Sequence, residues 1–350
     1  MPLGNYGNPG ADLWTPQSLD GVVRLLPPVG TLFKDTFFGT VKTEPVDVIT
    51  VDFVKGSRRI APFVSPRNPA SSAEKYGYKT NIYKPPLIKV KDVTYIDQMI
   101  QRLAGENIYS GMTPQERAER LLDDQLRSFD EMIVRREEWM CSQAMITGKI
   151  PVVGEGVNDL IDFNFTHKGN AATPWGIPGS KPQKDLKAWQ LACLRDGFRL
   201  PNVCIMDQAA YTAFQDSGLE DGTFNQFNWK VFNFSPSIQS PNVQFMGMLT
   251  DPLLEIYVYN EWYIDDSGKE QPVMPEGTVI VANTNAQFSM YYAVLTYTDQ
   301  LTQTVQSYVA SRAARSWTQA DPDQRFLELQ SRPLPVPHEV DSWFVGTVLY

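Results

Sequence analysis

Histidine and cysteine, the side chains that most often bind zinc, are few in this 350-residue chain. His167 and His338 are the only histidines and lie far apart in the sequence. Cys141, Cys193 and Cys204 are the only cysteines, and no two of them have the C-x-x-C spacing of a zinc site. The sequence therefore argues against a zinc site. An odd number of cysteines also favours reduced thiols in a cytoplasm over a disulfide framework.

Sequence motifs that bind phosphate or activate a nucleophile are incomplete. The segment 147–150 (TGKI) contains the Gly-Lys step of a P-loop, but Gln143 stands where the first glycine is required. Ile150 stands where the motif needs Ser or Thr. The sequence has no G-x-S-x-G nucleophile elbow, and the segment 154–156 (GEG) is more typical of a turn than of a dinucleotide fingerprint.

Two pairs of adjacent carboxylates remain as candidates for general acid–base chemistry: Asp123–Asp124 and Glu137–Glu138. Both pairs fall on the predicted polar side of a long helix, and we interpret them as part of a solvated helix face. A β-rich hydrolase with an unrecognised carboxylate pair stays an alternative. Otherwise we expect no catalytic residue, no cofactor and no metal ligand.

One long helix is the clearest element that the sequence predicts. The segment 113–116 (TPQE) has the pattern of a capping box with proline at the first helical position, and Gly148 is typical of a helix end. About 33 helical residues at about 1.5 Å each would give a length of about 50 Å. Apolar residues follow at helical spacing, at Ala118, Leu122, Leu126, Phe129, Ile133, Met140 and Ala144, and the stripe is widened by Leu121, Met132 and Trp139.

The remaining sequence is predicted to be mainly β, with shorter helices. Strands are expected in segments 45–54, 149–165 and 202–207, and a β hairpin within 247–284. Helices are expected at 184–197 and 208–217. The first 30 residues are rich in Gly, Pro and Asn and predict an irregular arm. The predicted fold class is α+β, in which one long helix crosses mainly β material.

The start of the chain and its hydropathy argue against secretion and membrane insertion. The first residues contain no basic segment followed by an apolar one, so we expect no secretory signal. No stretch reaches the roughly 18 uninterrupted apolar residues that a membrane span requires. We therefore expect no membrane partner.

Charge is distributed very unevenly along the chain. The formal net charge is -9, but residues 55–91 contain nine basic residues against the single acid Glu74, a local charge of +8. The rest of the chain therefore carries -17, which is -9 less +8. The basic residues are Lys55, Arg58, Arg59, Arg67, Lys75, Lys79, Lys84, Lys89 and Lys91. Five prolines at positions 62, 66, 69, 85 and 86 keep this segment out of helices and central strands, which predicts a long hairpin-like loop of two extended limbs.

Three interpretations of this basic loop compete. It could be a surface loop with a chance excess of charge, which is the simplest interpretation. Basic residues interleaved with Tyr76, Tyr78 and Tyr83 would also suit nucleic-acid binding, although the acidic remainder would repel a polyanion. The third interpretation is docking onto a second copy of the chain, because a +8 loop complements a -17 body. A head-to-tail contact of this kind builds rings and larger lattices.

An ordered set of segments resembles the lambda-type major capsid protein E family of tailed bacteriophages. The set comprises IAPFVSP (60–66), YKPPLIKVKD (83–92), the capped long helix, VANTNAQFSMYYAVLTYTD (281–299) and SWTQADPDQRFLELQSRPLPV (316–336). The last segment contains a Gln-Ser-x-Pro-Leu signature at 330–334. The similarity runs from about residue 30 to the end, and its specificity lies in the order of the segments.

The resemblance implies the Hong Kong 97-like capsid fold, with peripheral and axial domains. On that basis residues 1–48 form an N-terminal arm and entry strands, 49–95 the extended loop, and 96–184 the peripheral domain with a spine helix at 113–147. Residues 185–283 would form the axial domain, and 284–350 would return to the peripheral domain. The predicted subunit-interface residues of the loop are Arg58, Arg59, Arg67, Lys75, Tyr76, Tyr78, Lys79, Tyr83 and Lys84.

The resemblance also implies a function and a set of partners. A major capsid protein of this kind forms hexamers and pentamers of an icosahedral shell that encloses double-stranded DNA without reading its sequence. Expected partners are further copies of the chain, a scaffold protein, a portal and a decoration protein. The expected location is the virion, after assembly in the bacterial host's cytoplasm. The alternative within the same fold is a nanocompartment shell that encloses cargo enzymes.

Overall fold

The computed structural model describes most of the chain: residues 31–54, 60–61, 63, 65–67, 78–95, 113–154, 156–220, 229–230, 238, 240, 242–298, 304–321 and 323–350. The described residues form four helices and twenty-one strands, so the α+β class is confirmed. The helices are α1 (Phe33–Thr36), α2 (Pro114–Ile146), α3 (Pro182–Gly197) and α4 (Gln208–Glu220).

The long helix α2 contains 33 residues and begins where the sequence predicts. Thr113 Oγ1 accepts the backbone N–H of Glu116 at 3.3 Å, and Glu116 Oε2 accepts the backbone N–H of Thr113 at 2.7 Å. These two bonds satisfy donors that the first turn of any helix leaves unpaired. After the helix, Gly148 has a φ of +65°, a conformation that glycine adopts without a steric penalty.

A seven-stranded mixed sheet lies beside the C-terminal half of α2. Its strand order is β7-β21-β14-β8-β11-β10-β9, and the β7–β21 and β8–β11 pairs are parallel. The strands are β7 (Lys168–Asn170), β8 (Val203–Met206), β9 (Trp229–Lys230), β10 (Val243–Thr250), β11 (Leu253–Tyr259), β14 (Thr278–Ala282) and β21 (Phe344–Thr347). The sheet thus combines strands from the predicted axial domain (185–283) with β7, which precedes that range, and β21, which follows it. The predicted domain boundaries stay a prediction.

The other strands form two three-stranded sheets and four hairpins. The first sheet is β1 (Thr40–Glu44), β15 (Phe288–Ala293) and β20 (Pro333–Pro337), and the second is β18 (Ala313–Ala320), β19 (Asp323–Ser331) and β4 (Ile88–Tyr95). The hairpins are β2–β3 (Ile49–Val54, Tyr78–Tyr83), β5–β6 (Lys149–Gly154, Val157–Asp162), β12–β13 (Trp262–Ile264, Glu270–Pro272) and β16–β17 (Leu295–Thr298, Val305–Tyr308). The strands and hairpin predicted from the sequence are therefore present.

The core has three parts, and α2 takes part in two of them. Its N-terminal half packs Leu122, Leu126 and Phe129 onto the sheet of β18, β19 and β4. Its C-terminal half joins the main cluster, which covers one face of the seven-stranded sheet. The helices α3 and α4 cover the opposite face of that sheet. Because side chains alternate along a strand, β8 contributes Val203 and Ile205 to one cluster and Cys204 and Met206 to the other.

The predicted apolar stripe of α2 is confirmed for its central positions but is wrong at one flank. Leu122, Leu126, Phe129, Ile133, Met140 and Ala144 are buried, whereas Ala118 is half-buried. Met132, which was expected to widen the stripe, is 50% exposed. It faces a surface groove instead of the core.

The strand β20 has prolines at every second position, Pro333, Pro335 and Pro337, and forms one edge of its sheet. The N–H groups of successive strand residues point to opposite sides, so the three prolines remove the donors of one side only. Pairing with β15 therefore uses the N–H groups of Leu334 and Val336, and the outer side of β20 has no N–H donor.

Gly346 in β21 is predicted to be required for the packing of α3 onto the sheet. A methyl group added there would overlap the indole of Trp189, which stacks on Phe344 with ring centroids 5.2 Å apart. We expect Gly346→Ala to lower the free energy of unfolding by about 1–3 kcal/mol. The measurement is denaturant unfolding of the unassembled subunit. Gly154→Ala is the matched control, since a methyl group at that strand position meets no atom within 4 Å; equal stability of the two variants would contradict the packing.

Candidate functional site

The basic loop has the limbs that the sequence predicts. The strands β2 and β3 pair antiparallel from Ile49 opposite Tyr83 to Val54 opposite Tyr78. After the Pro85–Pro86 step the chain enters β4, which pairs with β19 from the C-terminal region and not with β2. The hairpin-like loop is therefore confirmed for β2 and β3, and its returning limb is built into the body of the protein.

The predicted interface residues of the loop fall into three groups. Arg58, Arg59, Lys75 and Tyr76 lie outside the described residues. Tyr78 and Lys79 belong to β3, but their side chains lie outside the described part. Arg67, Tyr83 and Lys84 are described, and of these Arg67 and Lys84 are exposed. The assignment of the nine residues to a subunit interface stays a prediction.

Tyr83 lies at the base of the loop and is 8% exposed. Its ring packs against Phe163 with centroids 5.3 Å apart, and its hydroxyl donates to the backbone oxygen of Asp162 at 3.4 Å. Burial raises the pKa of the Tyr83 hydroxyl above its ordinary value. Tyr83 thus attaches the loop to its own chain next to β6.

The carboxylate pair Glu137–Glu138 on α2 is buried, so its interpretation as a solvated helix face is wrong. Glu137 is 0% exposed and Glu138 is 4% exposed. The pattern of polar and apolar residues did not reveal this, because the partners of both carboxylates lie more than a hundred residues away. The pair Asp123–Asp124, by contrast, is half-buried to exposed.

Glu137 binds two cations inside the protein. The Arg312 guanidinium donates to both carboxylate oxygens, at 2.6 and 3.1 Å, and Lys34 Nζ donates at 2.7 Å. The hydroxyl of Tyr292 donates at 3.1 Å. Arg312 also donates from Nε to Asp130 at 2.8 Å, about two turns before Glu137 on the helix. A buried charge needs this degree of pairing, because its desolvation is otherwise very unfavourable.

Glu138 holds the N-terminal end of the short helix α1. Its carboxylate accepts the backbone N–H groups of Leu32, Phe33 and Lys34 at 3.1, 2.9 and 2.9 Å. The Tyr259 hydroxyl from β11 donates to it at 3.0 Å. These N–H groups are the ones a helix start leaves unpaired, so a side chain of α2 caps α1 from outside.

The two glutamates have opposite pKa shifts with identifiable causes. Burial alone would raise the pKa of Glu137, but Arg312 and Lys34 outweigh it and hold that pKa below its ordinary value. Burial raises the pKa of Glu138, against the lowering effect of its backbone donors. We call Glu137, Glu138, Lys34, Arg312 and Tyr292 the charge cluster.

The charge cluster has a structural role, because it connects distant segments of the chain. The oxygens of both carboxylates accept bonds from groups of the same chain, and both side chains are closed off from solvent. The cluster connects the segment before β1, the long helix and the strands of the C-terminal region. It supports no general acid–base role, which requires access to a substrate.

Metal binding and membrane insertion have no support among the described residues. Within them, no group of three or more His, Cys, Asp or Glu side chains is arranged to hold a metal ion. None of the described helices is both long and apolar enough to cross a bilayer. All three cysteines are buried and free.

The family profile, the related sequences and the solved structure that match this chain all point to one family. A profile of the phage major capsid protein E family matches residues 15–348. The major capsid protein of Enterobacteria phage P21 is 26% identical over 96% of this chain and 99% of its own length. That of Escherichia phage lambda is 21% identical over 89% of this chain and 92% of its own length. A crystal structure of a prophage capsid protein from E. coli CFT073 superposes with a TM-score of 0.70 and 20% identity over 95% of this chain and 98% of that one.

Removing the charge of Glu137 is predicted to destabilise the subunit strongly. Glu137→Gln would leave Lys34 without its carboxylate and Arg312 with Asp130 alone, and breaking a buried pair of this kind costs about 3–5 kcal/mol. The measurement is guanidinium unfolding of the unassembled subunit. The control is Glu131→Gln on the same helix, an exposed partner of Arg135, for which we expect a change within about 0.5 kcal/mol. Similar losses in both variants would contradict the role of the cluster.

The same substitution is predicted to change how stability depends on pH. Because the folded-state pKa of Glu137 is held below the ordinary value of 4.5, its stabilising effect is complete above that pH and is lost as the pH falls further. The difference in unfolding free energy between wild type and Glu137→Gln should therefore shrink below about pH 4.5. Glu138 is present in both proteins, so its opposite effect cancels. A difference that stays constant down to pH 3 would argue against the pairing with Arg312 and Lys34.

Proposed function

The chain belongs to the phage major capsid protein E family, and we propose that it assembles into hexamers and pentamers of an icosahedral head around double-stranded DNA. It is a structural protein of a phage or prophage head. The single observation that supports this proposal most is the family match over residues 15–348. The Hong Kong 97-like fold agrees with it.

The proposed partners follow from the same role. Further copies of the chain are the first partner, and a scaffold protein, a portal and a decoration protein are the others. We place assembly in the cytoplasm of the bacterial host and the mature protein in the virion. DNA would be enclosed without sequence-specific contacts, since a body of charge -17 does not attract a polyanion.

The two alternative functions have less support. A nanocompartment shell would share the fold, but the matching profile and the curated relatives are those of phage capsid proteins. A β-rich hydrolase would need an accessible carboxylate pair. The Glu137–Glu138 pair is buried and fully engaged, and Asp123 of the other pair forms a surface ion pair with Arg127 on the same helix.

We further propose that the basic loop, residues 55–91 within the extended loop 49–95, docks onto a neighbouring subunit through the part that precedes β4. A loop of +8 and a remainder of -17 attract each other at long range, and each copy in a lattice can both give and receive one loop. Single exposed ion pairs contribute only about 0.2–1 kcal/mol. Repetition of the contact around a closed shell makes such small contributions decisive.

The experiment that tests these proposals is assembly of the full chain, followed by sedimentation and negative-stain microscopy. We expect wild type to form closed shells or capsomers, whereas an enzyme would sediment as a small oligomer. The triple variant Arg58→Glu, Arg59→Glu, Arg67→Glu should give a folded subunit that forms no closed shells, because the loop would then repel an acidic neighbour.

The matched control reverses three exposed charges outside the loop: Lys181→Glu, Lys184→Glu and Arg195→Glu. It changes the net charge by the same amount, and we expect it to retain shells. Normal shells from the loop variant would rule out docking by charge. Loss of shells in both variants would assign the effect to net charge alone.

A further inference from the structure

An open cleft lies where the segment after α1, the start of β15 and the residues after β20 meet. Its volume is about 780 Å³. Three of the described residues that line it have ionisable side chains, Lys42, His338 and Glu339, and we call it the Lys42 cleft. Six of the other lining residues are polar and uncharged: Thr36, Thr40, Thr284, Asn285, Gln287 and Ser289.

The Lys42 cleft is locally positive, although the chain as a whole carries -9. Both carboxylate oxygens of Glu339 accept hydrogen bonds from Arg199, at 2.8 and 2.7 Å, so the charge of Glu339 is balanced within the protein. Lys42 is exposed, and within the described part of the chain it has no carboxylate partner. The positive charge of Lys42 is therefore available to a ligand.

Tyr291 joins Lys42 to His338. Lys42 Nζ donates to the Tyr291 hydroxyl at 3.2 Å, and that hydroxyl lies 3.3 Å from His338 Nε2. The Tyr291 and His338 rings meet edge to face, with centroids 5.7 Å apart. Because the Tyr291 oxygen already accepts from Lys42, the Tyr291 proton is available for Nε2, and the neutral imidazole carries its own proton on Nδ1. Lys42 and Tyr291 are cross-strand partners in β1 and β15, which fixes their spacing.

Protonation of His338 is unfavourable in the empty cleft. Burial and the Lys42 ammonium lower the pKa of His338 below its ordinary value of 6.5, against the raising effect of Glu339. An imidazolium would also make Nε2 a donor, which leaves the Tyr291 proton without its acceptor. A negative charge in the cleft removes both obstacles, because it offsets the repulsion between Lys42 and His338 and accepts hydrogen bonds from these groups.

The donors of the cleft suit a tetrahedral oxyanion better than a carboxylate. A planar carboxylate is held best by the fork of an arginine, and Arg199 is already taken by Glu339. Lys42 offers a compact ammonium instead, which binds phosphate groups as a point charge.

We propose that the Lys42 cleft binds a tetrahedral oxyanion, as inorganic phosphate or as the phosphodiester of a nucleic acid, and that binding is accompanied by uptake of one proton from solvent at His338. Lys42, Tyr291 and His338 belong to one subunit, so the site does not depend on the proposed assembly.

Binding of inorganic sulfate tests the site, because sulfate keeps its charge throughout the pH range in which histidine titrates. The unassembled full-length chain is labelled with carbon-13 at its two histidines and followed by NMR. With sulfate in place of chloride at equal ionic strength, we expect a saturable shift of the His338 resonance. His167, which lies beside Asp196 and outside the cleft, is the internal reference. Sulfate should bind about fivefold more tightly at about pH 5.5 than at about pH 7.5.

Two variants separate the charge from the proton. Lys42→Met should lower the affinity for sulfate by about tenfold or more at both pH values, since a hydrogen bond to a charged group is lost. The control Lys184→Met removes an exposed lysine of α3 with the same change in net charge and should leave the affinity unchanged. His338→Gln should keep the affinity measured at about pH 7.5 but lose its increase at about pH 5.5.

Competition against sulfate identifies the source of the anion. Displacement by inorganic phosphate alone assigns the site to a free anion, and displacement by a short DNA duplex as well assigns it to phosphodiesters; either result supports the inference. It is overturned by a His338 resonance that does not respond to sulfate, by wild-type affinity in Lys42→Met, or by failure of both competitors to displace sulfate.

Discussion

The burial of two adjacent carboxylates on the long helix is the constraint on which the rest of the structure depends. A charge that has lost its water must be paired on every side, and here the pairing groups come from Lys34 and from Arg312, at opposite ends of the sequence. Glu138 adds three backbone donors of α1 and the Tyr259 hydroxyl of the large sheet. The N-terminal segment, the long helix, the sheet and the C-terminal strands therefore meet at one point, which specifies their mutual arrangement.

Local signals in the sequence predicted most of the elements. The capping box at Thr113 and the glycine at 148 fixed both ends of α2, because helix ends depend on a few neighbouring residues. Periodicity found the buried stripe from Leu122 to Ala144. The order of strands in the seven-stranded sheet was beyond such reasoning, since β8 lies between β11 and β14, which follow it by about fifty or more residues.

Local sequence patterns do not predict burial that depends on residues far away in the chain. A pattern based on polarity predicts that Glu137 and Glu138 are solvated, because nothing nearby in the sequence reveals their distant partners. The prediction for Met132 is wrong in the opposite direction. Met132 is apolar and lies beside the buried stripe of the helix, yet its side chain lines a surface groove. For the loop, charge and proline content predicted an extended limb with a hairpin base, but not that Tyr83 would be buried against Phe163 of its own chain.

The proline-spaced strand β20 has a consequence for how copies of this chain can associate. A sheet edge with free donors invites strand addition by any passing chain, which is the route to fibrous aggregates. All five residues of β20 are buried by the chain's own packing, and the outer side of the strand offers only carbonyl oxygens. A foreign strand therefore meets neither an open edge nor N–H donors there, so uncontrolled polymerisation through this edge is blocked.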